Sequence, residues 1–316
     1  MRNLDTLSPL RRAPGVIRIH GHRAARGVLP ENTMIGFRHT LDIGLKVVEL
    51  DVLITADGVP VVTHYPRLMA AATRDKNGRW LPDDSPLIYA MSFNTLQEFD
   101  VGGLRASTDY GEKYPDQAFL TGVRVPSLAQ VAALIKEPEF EDVWLNLEIK
   151  STPEAPENTP PLPDLVSSVL QTLIDQQVTD RVFIQSFDWR VLSELQRQMP
   201  DMPRSYLSYD HRERPTMAVN IYEGSIWMDG VSLAAHDDAL PQAIASLGGQ
   251  IWSPYFQDIT PARLAQAHEA GLIVNAWTVN DTRDIHRMIE LGVDGIITDY
   301  PARVQRCLMA CGLSWT

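Results

Sequence analysis

The stretch Val47–Ile54, with the sequence VVELDVLI, decides the fold because it sets two acids inside an otherwise apolar strand. Side chains two residues apart on a strand share one face, so Glu49 and Asp51 point in the same direction. Uncompensated carboxylates on a buried face cost several kcal/mol. The pair therefore requires a bound cation, the protonation of one acid, or a structural ion pair, for which Arg23 is a candidate.

Histidines follow the extended segments on either side of this strand. Residues 16–19 (VIRI) are typical of a strand, which would deliver His20 and His22 at its carboxyl end. After the central strand, a turn at residues 56–58 leads into an extended piece at residues 59–63, which carries His64. We therefore expect His22 and His64 to converge on the two acids.

Strands and helices alternate through the chain. Between the first two strands, Asn32 or Thr33 can cap a helix that runs to about Leu41 and is stopped by Gly44. Such alternation predicts an α/β fold with a parallel sheet, here a (β/α)8 TIM barrel with a small insertion after the second strand. The predicted barrel strands are residues 16–19, 47–54, 143–150, 182–187, 204–209, 250–253, 272–279 and 295–298.

This assignment requires two further choices. Residues 230–233 also qualify as a strand, and we demote them to an accessory segment because a barrel needs eight. A doubly wound open sheet is the alternative fold, but no Gly-rich dinucleotide fingerprint follows the first strand. We expect one barrel domain over residues 14–316. Residues 66–124, rich in Gly, Pro, Asp and aromatics, are expected to form an insertion beside its C-terminal face.

Composition limits the class of protein. The chain has 316 residues, 44% of them hydrophobic, which is enough for a large core, and a net charge of −12 argues against nucleic-acid or anionic-membrane binding. Cys307 and Cys311 are too few for a disulfide framework or a zinc site and are read as packing residues. The chain shows no signal-peptide pattern and no apolar run of about 18 residues. We therefore expect a cytoplasmic protein without stable membrane insertion, and an oligomer is compatible with this composition.

Barrel enzymes build their active sites at the carboxyl ends of the strands. Glu148 lies at such an end and would complete a three-carboxylate set, although an ion pair with Lys150, two residues on, is an alternative. Oxygen-only ligands of this kind favour Mg²⁺ or Ca²⁺ over a transition metal. The residues placed at or just before strand ends are His22, Glu49, Asp51, Glu148 and Trp277.

These motifs resemble the glycerophosphodiester phosphodiesterase family, and the resemblance covers nearly the whole chain in order. It begins with His22-Arg23, Pro30–Thr33, Glu49–Val52, Thr55–Gly58 and His64. It continues with the segments 147–150 (LEIK), 185–188 (QSFD), 277–280 (WTVN) and 292–301 (GVDGIITDYP).

The resemblance implies a metal-dependent enzyme that cleaves a small-molecule phosphodiester into glycerol 3-phosphate and an alcohol. It implies that His22 and His64 are the general acid and base, with Arg23 and the metal on the phosphoryl oxygens. A histidine with a pKa near 6.5 suits either role. The 2-hydroxyl of the substrate glycerol would attack phosphorus, and a cyclic phosphate would then be hydrolysed. The implied metal ligands are Glu49, Asp51 and Glu148, and the implied substrate contacts are Arg23, Glu31, Lys150, Gln185, Phe187 and Trp277.

Two positions depart from the family pattern. Ala24 replaces the usual Gly, which either restricts the approach of phosphate or indicates a backbone with negative φ. Tyr65 replaces an Asp that could orient His64 or lie near the metal. A lysophospholipase D-type hydrolase and a non-catalytic phosphodiester-binding barrel are the alternative functions. The remaining six histidines are read as structural or surface residues: His20, His39, His211, His236, His268 and His286.

Overall fold

The predicted strands form a closed parallel barrel in the computed structural model, which describes residues 4–213 and 215–316. This part of the chain has nine strands: β1 Arg18–Gly21, β2 Val47–Ile54, β3 Pro60–Val62, β4 Trp144–Ile149, β5 Val182–Ser186, β6 Arg204–Ser208, β7 Ile251–Pro254, β8 Ile273–Ala276 and β9 Gly295–Thr298. Strand β3 runs antiparallel to the end of β2, and the other eight run parallel. Pairing of β1 with both β2 and β9 closes the ring, so the (β/α)8 barrel is confirmed.

Helices surround the barrel and connect its strands. They are α1 Met34–Asp42, α2 Phe93–Leu96, α3 Asp109–Lys113, α4 Leu128–Leu134, α5 Leu162–Asp175, α6 Trp189–Gln198, α7 Leu240–Ser246, α8 Pro261–Glu269, α9 Thr282–Leu291 and α10 Pro301–Ala310. Thr33 caps α1 as predicted, since its side chain accepts a hydrogen bond from the Gly36 amide. The longest helix has 14 residues, and none in the described ranges is long and apolar enough to cross a membrane.

The first strand lies two residues later than predicted. Val16 and Ile17 look like part of the barrel, but the Ile17 amide donates instead to the Ser314 carbonyl near the C-terminus. Pairing with β9 begins only at Arg18, opposite Gly295. The residue His20 is therefore inside the strand and fully buried rather than at its end. Apolar character could not reveal this shift, because it depends on a contact with the far end of the chain.

The region before β7 agrees with the prediction in one respect and differs from it in another. Residues 230–233 form no strand, which agrees with the prediction that they are not one of the eight barrel strands. The helix α7 was missed, because Ala239 offers no side-chain cap and a short Ala-rich segment gives a weak periodic signal.

The barrel is closed at the amino ends of its strands by an apolar plug. Leu7 and Leu10, from a short 3₁₀ segment before β1, pack under the ring. Their partners come from separate strands: Val47, Trp144, Phe183, Ile251 and Ile273. The cavity that holds the candidate site lies at the other end, over the carboxyl ends of the strands.

Residues 66–124 pack beside the ends of β2 and β3. Their apolar side chains, Leu68, Leu81, Ile88 and Leu96, form a separate cluster with Leu53 and Val61 of the barrel strands. The helix α3 belongs to this region and reaches the active-site end of the barrel, because the Tyr110 hydroxyl donates to Glu31. Further along the chain, Cys307 is buried in α10 and Cys311 is exposed, and neither forms a disulfide.

Candidate active site

Three carboxylates from two neighbouring strands meet at the open end of the barrel. Glu49 and Asp51 share a face of β2, and the parallel register pairs Asp51 with Glu148 of β4. One ligand oxygen of each residue lies within 4.8 Å of the other two. All three residues are buried, at 0–6% exposure.

The electrostatics of this cluster fit a divalent cation. Burial raises the pKa of Glu49 well above its usual value, and Asp51 and Glu148 add to the shift. Burial likewise raises the pKa of Glu148 to about 7. Burial would also raise the pKa of Asp51, but Lys150, His64 and Arg23 hold it well below its usual value. Without a cation, Glu49 and Glu148 therefore favour their protonated forms; a bound cation would favour three ionised carboxylates, and an all-oxygen donor set suits Mg²⁺ or Ca²⁺.

Lys150 bridges two members of the cluster. Its Nζ lies 2.7 Å from Glu148 Oε1 and 3.0 Å from Asp51 Oδ1. The ion pair that the sequence offered as an alternative to a metal site is therefore present. It does not exclude metal binding, because Lys150 pairs with Glu148 and Asp51 and not with Glu49. Among the described residues, the oxygens of Glu49 receive hydrogen bonds from neutral donors, the Arg23 amide and Gln185 Nε2.

Arg23 is held over the carboxylates by a left-handed turn. The φ angles of Arg23 and Ala24 are +48° and +71°, so the suggestion that Ala24 keeps a negative φ is wrong. The turn lets the Arg23 amide donate to Glu49 Oε2 at 2.7 Å while the guanidinium lies 2.9 Å from Glu31 and 3.4 Å from Asp51. The Ala24 side chain is fully buried and faces Gly36 of α1 rather than the cavity.

Asn32 supports the cluster from the same loop. Its φ is +54°, and its Nδ2 donates to Asp51 Oδ2 at 2.8 Å. Asn32 therefore contacts one of the candidate metal ligands directly. Glu31 lies one contact further out, between Arg23 and the Tyr110 hydroxyl.

His22 is oriented by an aspartate that the sequence reading did not place in the site. His22 Nδ1 donates to Asp299 Oδ1 at 2.6 Å, and its Nε2 lies 3.9 Å from Glu49 Oε2. Burial lowers the pKa of His22 to about 4, although Asp299 opposes the shift. Burial alone would raise the pKa of Asp299, but Arg26 and His22 hold it far below its usual value. An ionised Asp299 fixes the proton on Nδ1 and leaves Nε2 free to accept one.

The aspartate is itself held by two further groups. Arg26 forms a two-point pair with both oxygens of Asp299, at 2.9 and 3.0 Å. Asn280 Nδ2 donates to Asp299 Oδ2 at 2.7 Å. Asp299 follows β9 directly, so the strand-end rule that selected the other candidates could have found it. Arg26 lies in a loop, and no pattern marks it.

His64 has fewer partners than His22. Its Nδ1 is buried without a hydrogen bond, and its ring packs edge-on against Tyr65 with centroids 4.4 Å apart. Burial lowers the pKa of His64 well below its usual value, and Arg23 and Lys150 add to the shift. Tyr65 therefore supplies packing where the family pattern has a carboxylate, and no side chain in the described part of the chain fixes the tautomer of His64.

A cavity of about 440 Å³ opens over these groups. Gln185 Nε2 donates to Glu49 Oε1 at 3.2 Å, so it contacts the carboxylates directly. Phe187 and Trp277 pack edge-to-face at 5.3 Å and form an apolar part of the lining. All of the predicted site residues line this cavity except Asp51 and Glu31, which lie behind Arg23, Asn32 and Lys150.

Comparison with known proteins places this site in a family. Residues 22–303 match the model of the Glycerophosphoryl diester phosphodiesterase family, a segment that includes every candidate described above. The chain belongs to this family. A glycerophosphodiester phosphodiesterase of Caldanaerobacter subterraneus subsp. tengcongensis is 29% identical over 280 residues, which is 89% of this chain and 93% of that protein. The corresponding protein of Bacillus altitudinis is 27% identical, with 90% and 96% covered.

Solved structures of the family agree with the fold. A putative glycerophosphoryl diester phosphodiesterase from Silicibacter pomeroyi is 44% identical, with a TM-score of 0.86 over 99% of this chain and 100% of that chain. A phosphodiesterase of Oleispira antarctica, solved in complex with the product sn-glycerol-3-phosphate, is 20% identical, with a TM-score of 0.66 over 93% and 97% of the two chains. At that identity the likeness supports the shared barrel.

Proposed function

We propose that this protein hydrolyses glycerophosphodiesters to glycerol 3-phosphate and an alcohol, with a divalent cation held by Glu49, Asp51 and Glu148. The observation that carries the proposal is the buried three-carboxylate cluster beside an aspartate-oriented histidine, both on one cavity. Membership of the family and the names of its curated relatives support the same reaction.

The cation and two basic side chains would stabilise the phosphoryl group. Mg²⁺ or Ca²⁺, when bound, supplies positive charge that polarises the phosphoryl oxygens. Arg23 is oriented for the same oxygens because Glu31 and Asp51 fix its guanidinium, and Lys150 adds a second positive charge. Donors that are already in position stabilise the charge that grows in the transition state without reorganising.

Two proton transfers complete the reaction. We assign removal of the proton from the 2-hydroxyl of glycerol to His22, because Asp299 leaves its Nε2 unprotonated. The hydroxyl oxygen then attacks phosphorus, and the bond from phosphorus to the alcohol breaks. His64 is the candidate donor of a proton to the departing oxygen, since the negative charge of the bound phosphate favours its protonated form against the effect of burial. Water opens the resulting cyclic phosphate and gives glycerol 3-phosphate. Phe187 and Trp277 supply an apolar surface for the glycerol carbons, and Gln185 a polar contact beside Glu49.

The test measures release of glycerol 3-phosphate from glycerophosphocholine and glycerophosphoethanolamine in Mg²⁺, in Ca²⁺ and in EDTA. We expect metal-dependent release by the wild type and loss of release in His22→Ala. The matched control is His268→Ala, which removes a histidine that pairs with a buried aspartate, Asp294, remote from the cavity. Turnover in EDTA would refute the metal assignment, and equal turnover by wild type and His22→Ala would refute the role of His22.

We also propose that the protein is located in the cytoplasm. The net charge of −12 and the polar substrate favour the cytoplasm, which fractionation of tagged protein can check.

A further inference from the structure

The cavity has two chemically different parts to its lining. One part is a contiguous aromatic surface in which Trp277 packs against Phe187 and Tyr255, and Tyr255 packs against Phe256, with ring centroids 4.8–5.5 Å apart. The other part comes from the segment around α3, where the rings of Tyr110 and Tyr114 lie 5.3 Å apart. The aromatic surface suits the carbons of glycerol, so the α3 side is left for the alcohol half of the substrate.

Two cations lie on this second part. The guanidinium of Arg26 lies 4.7 Å from the centre of the Tyr114 ring, and the ammonium of Lys113 lies 5.6 Å from it. Both cations line the cavity, as do the hydroxyl-bearing rings of Tyr110 and Tyr114.

The cations that line the cavity differ in whether a carboxylate neutralises their charge. Arg23, Arg26 and Lys150 are each paired with a buried carboxylate or with Glu31. Lys113 forms no ion pair and no side-chain hydrogen bond with any residue in the described ranges, and it is exposed to solvent at the cavity mouth. Its charge is therefore available to a ligand, whereas the charges of the other three are already compensated.

We propose that Lys113 is a specificity residue that binds an anionic group on the alcohol half of the substrate and disfavours a purely cationic one. The inference rests on the proposed glycerophosphodiester hydrolysis. An ammonium or quaternary ammonium at the mouth would meet the uncompensated charge of Lys113 at close range, while a carboxylate or a second phosphate would be attracted to it.

Glycerophosphoserine and glycerophosphoethanolamine provide a matched pair of probes, because their alcohols differ by a single carboxylate. Exposed ion pairs contribute modestly, so we expect wild-type kcat/KM to favour the serine compound by about two- to fivefold. The difference should lie in KM rather than in kcat, since Lys113 contacts the alcohol half before and after the chemical step. It should shrink in high salt, because the pair is exposed.

Three variants test the assignment. Lys113→Gln should abolish the preference, and Lys113→Arg should retain it because the charge is conserved. Lys136→Gln is the control: Lys136 is also exposed and without an ion pair in the described ranges, but it lies between α4 and β4 at the opposite end of the barrel. Thermal melting of each variant checks folding.

The outcomes distinguish failure of the Lys113 proposal from failure of the proposed function. Equal preference for the serine compound in wild type and Lys113→Gln overturns the inference and directs attention to Arg26 as the anion-binding group. A wild type that hydrolyses both compounds with the same KM also overturns it, while leaving the proposed function intact. A wild type that hydrolyses neither compound, nor glycerophosphocholine, overturns the proposed function itself.

Discussion

Replacement of Asp299 by Asn is the sharpest test of how the site prepares its histidine. Asn keeps the shape of the side chain but removes the charge that accepts from His22 Nδ1 at 2.6 Å. The amide can present its NH₂ group to Nδ1, which would favour the tautomer with its proton on Nε2. His22 would then face the cavity with a proton instead of a lone pair. Because a positioned general base contributes about 10²–10⁴ in rate, we expect kcat to fall by that factor with little change in KM.

The same substitution has a calculable effect on stability. The Arg26 guanidinium loses the two-point ion pair and keeps the Tyr110 hydroxyl and His22 Nδ1, each 3.3 Å away, and the face of the Tyr114 ring, none of which carries a full negative charge. Breaking a buried pair while one charge remains costs about 3–5 kcal/mol. Since the unfolding free energy of such a domain is about 5–15 kcal/mol, this loss is a large share of it, and the denaturant midpoint must be measured beside kcat to separate lost orientation of His22 from unfolding.

A control exists on the same strand. Asp294 precedes β9 as Asp299 follows it, is also buried, and also pairs with a histidine, His268, at 2.9 Å. Asp294→Asn should therefore lower the denaturant midpoint comparably but leave kcat within about twofold, since it lies at the plugged end of the barrel. If Asp299→Asn retains wild-type kcat, or if both variants lose activity in proportion to stability, orientation of His22 by Asp299 is not part of the mechanism.

Three further predictions address the cluster, the insertion and acid stability. Glu49→Gln should abolish metal-dependent turnover and weaken Mg²⁺ or Ca²⁺ binding in calorimetry while the far-UV spectrum is unchanged; wild-type turnover would remove the metal argument. Tyr110→Phe should raise KM about tenfold by freeing Glu31 from a charge-assisted hydrogen bond, and an unchanged KM would show that the insertion does not tune the site. Burial lowers the pKa of His20 to about 3 from 6.5, so the folded state favours the neutral ring. The contribution of His20 to the free energy of unfolding is therefore complete above pH 6.5 and is lost as the pH falls towards 3. The loss due to His20 is about 2 kcal/mol at pH 5, so His20→Gln should reduce by about that amount the stability lost between pH 7 and pH 5, while His22 and His64 keep their own contributions.

The parts of the fold that could be predicted are those set by local sequence. Strand β2 has its predicted bounds because eight consecutive positions are buried on both faces, which an apolar run reports directly. Helix α1 was predicted correctly because Thr33 caps it chemically and Gly44, with φ at +86°, ends it. Strand β1 was misplaced by two residues because its first two apolar positions pair with the C-terminal segment instead of β9.

The candidate site likewise contains some residues that local sequence predicts and others whose contacts depend on closure of the barrel. Its candidate metal-binding acids are brought together by alternation within β2 and by register with β4, both of which follow from the barrel once the strands are known. The orientation of His22 depends instead on closure of the ring, which brings Asp299 to a residue 277 positions away in sequence. Arg26 and Tyr110 lie in irregular segments whose paths are set only by what they pack against. The candidate catalytic residues could thus be predicted from strand ends, and the same rule would select Asp299. Its pairing with His22, and the positions of Arg26 and Tyr110, required the closed barrel, because each of those contacts joins segments that no local pattern relates.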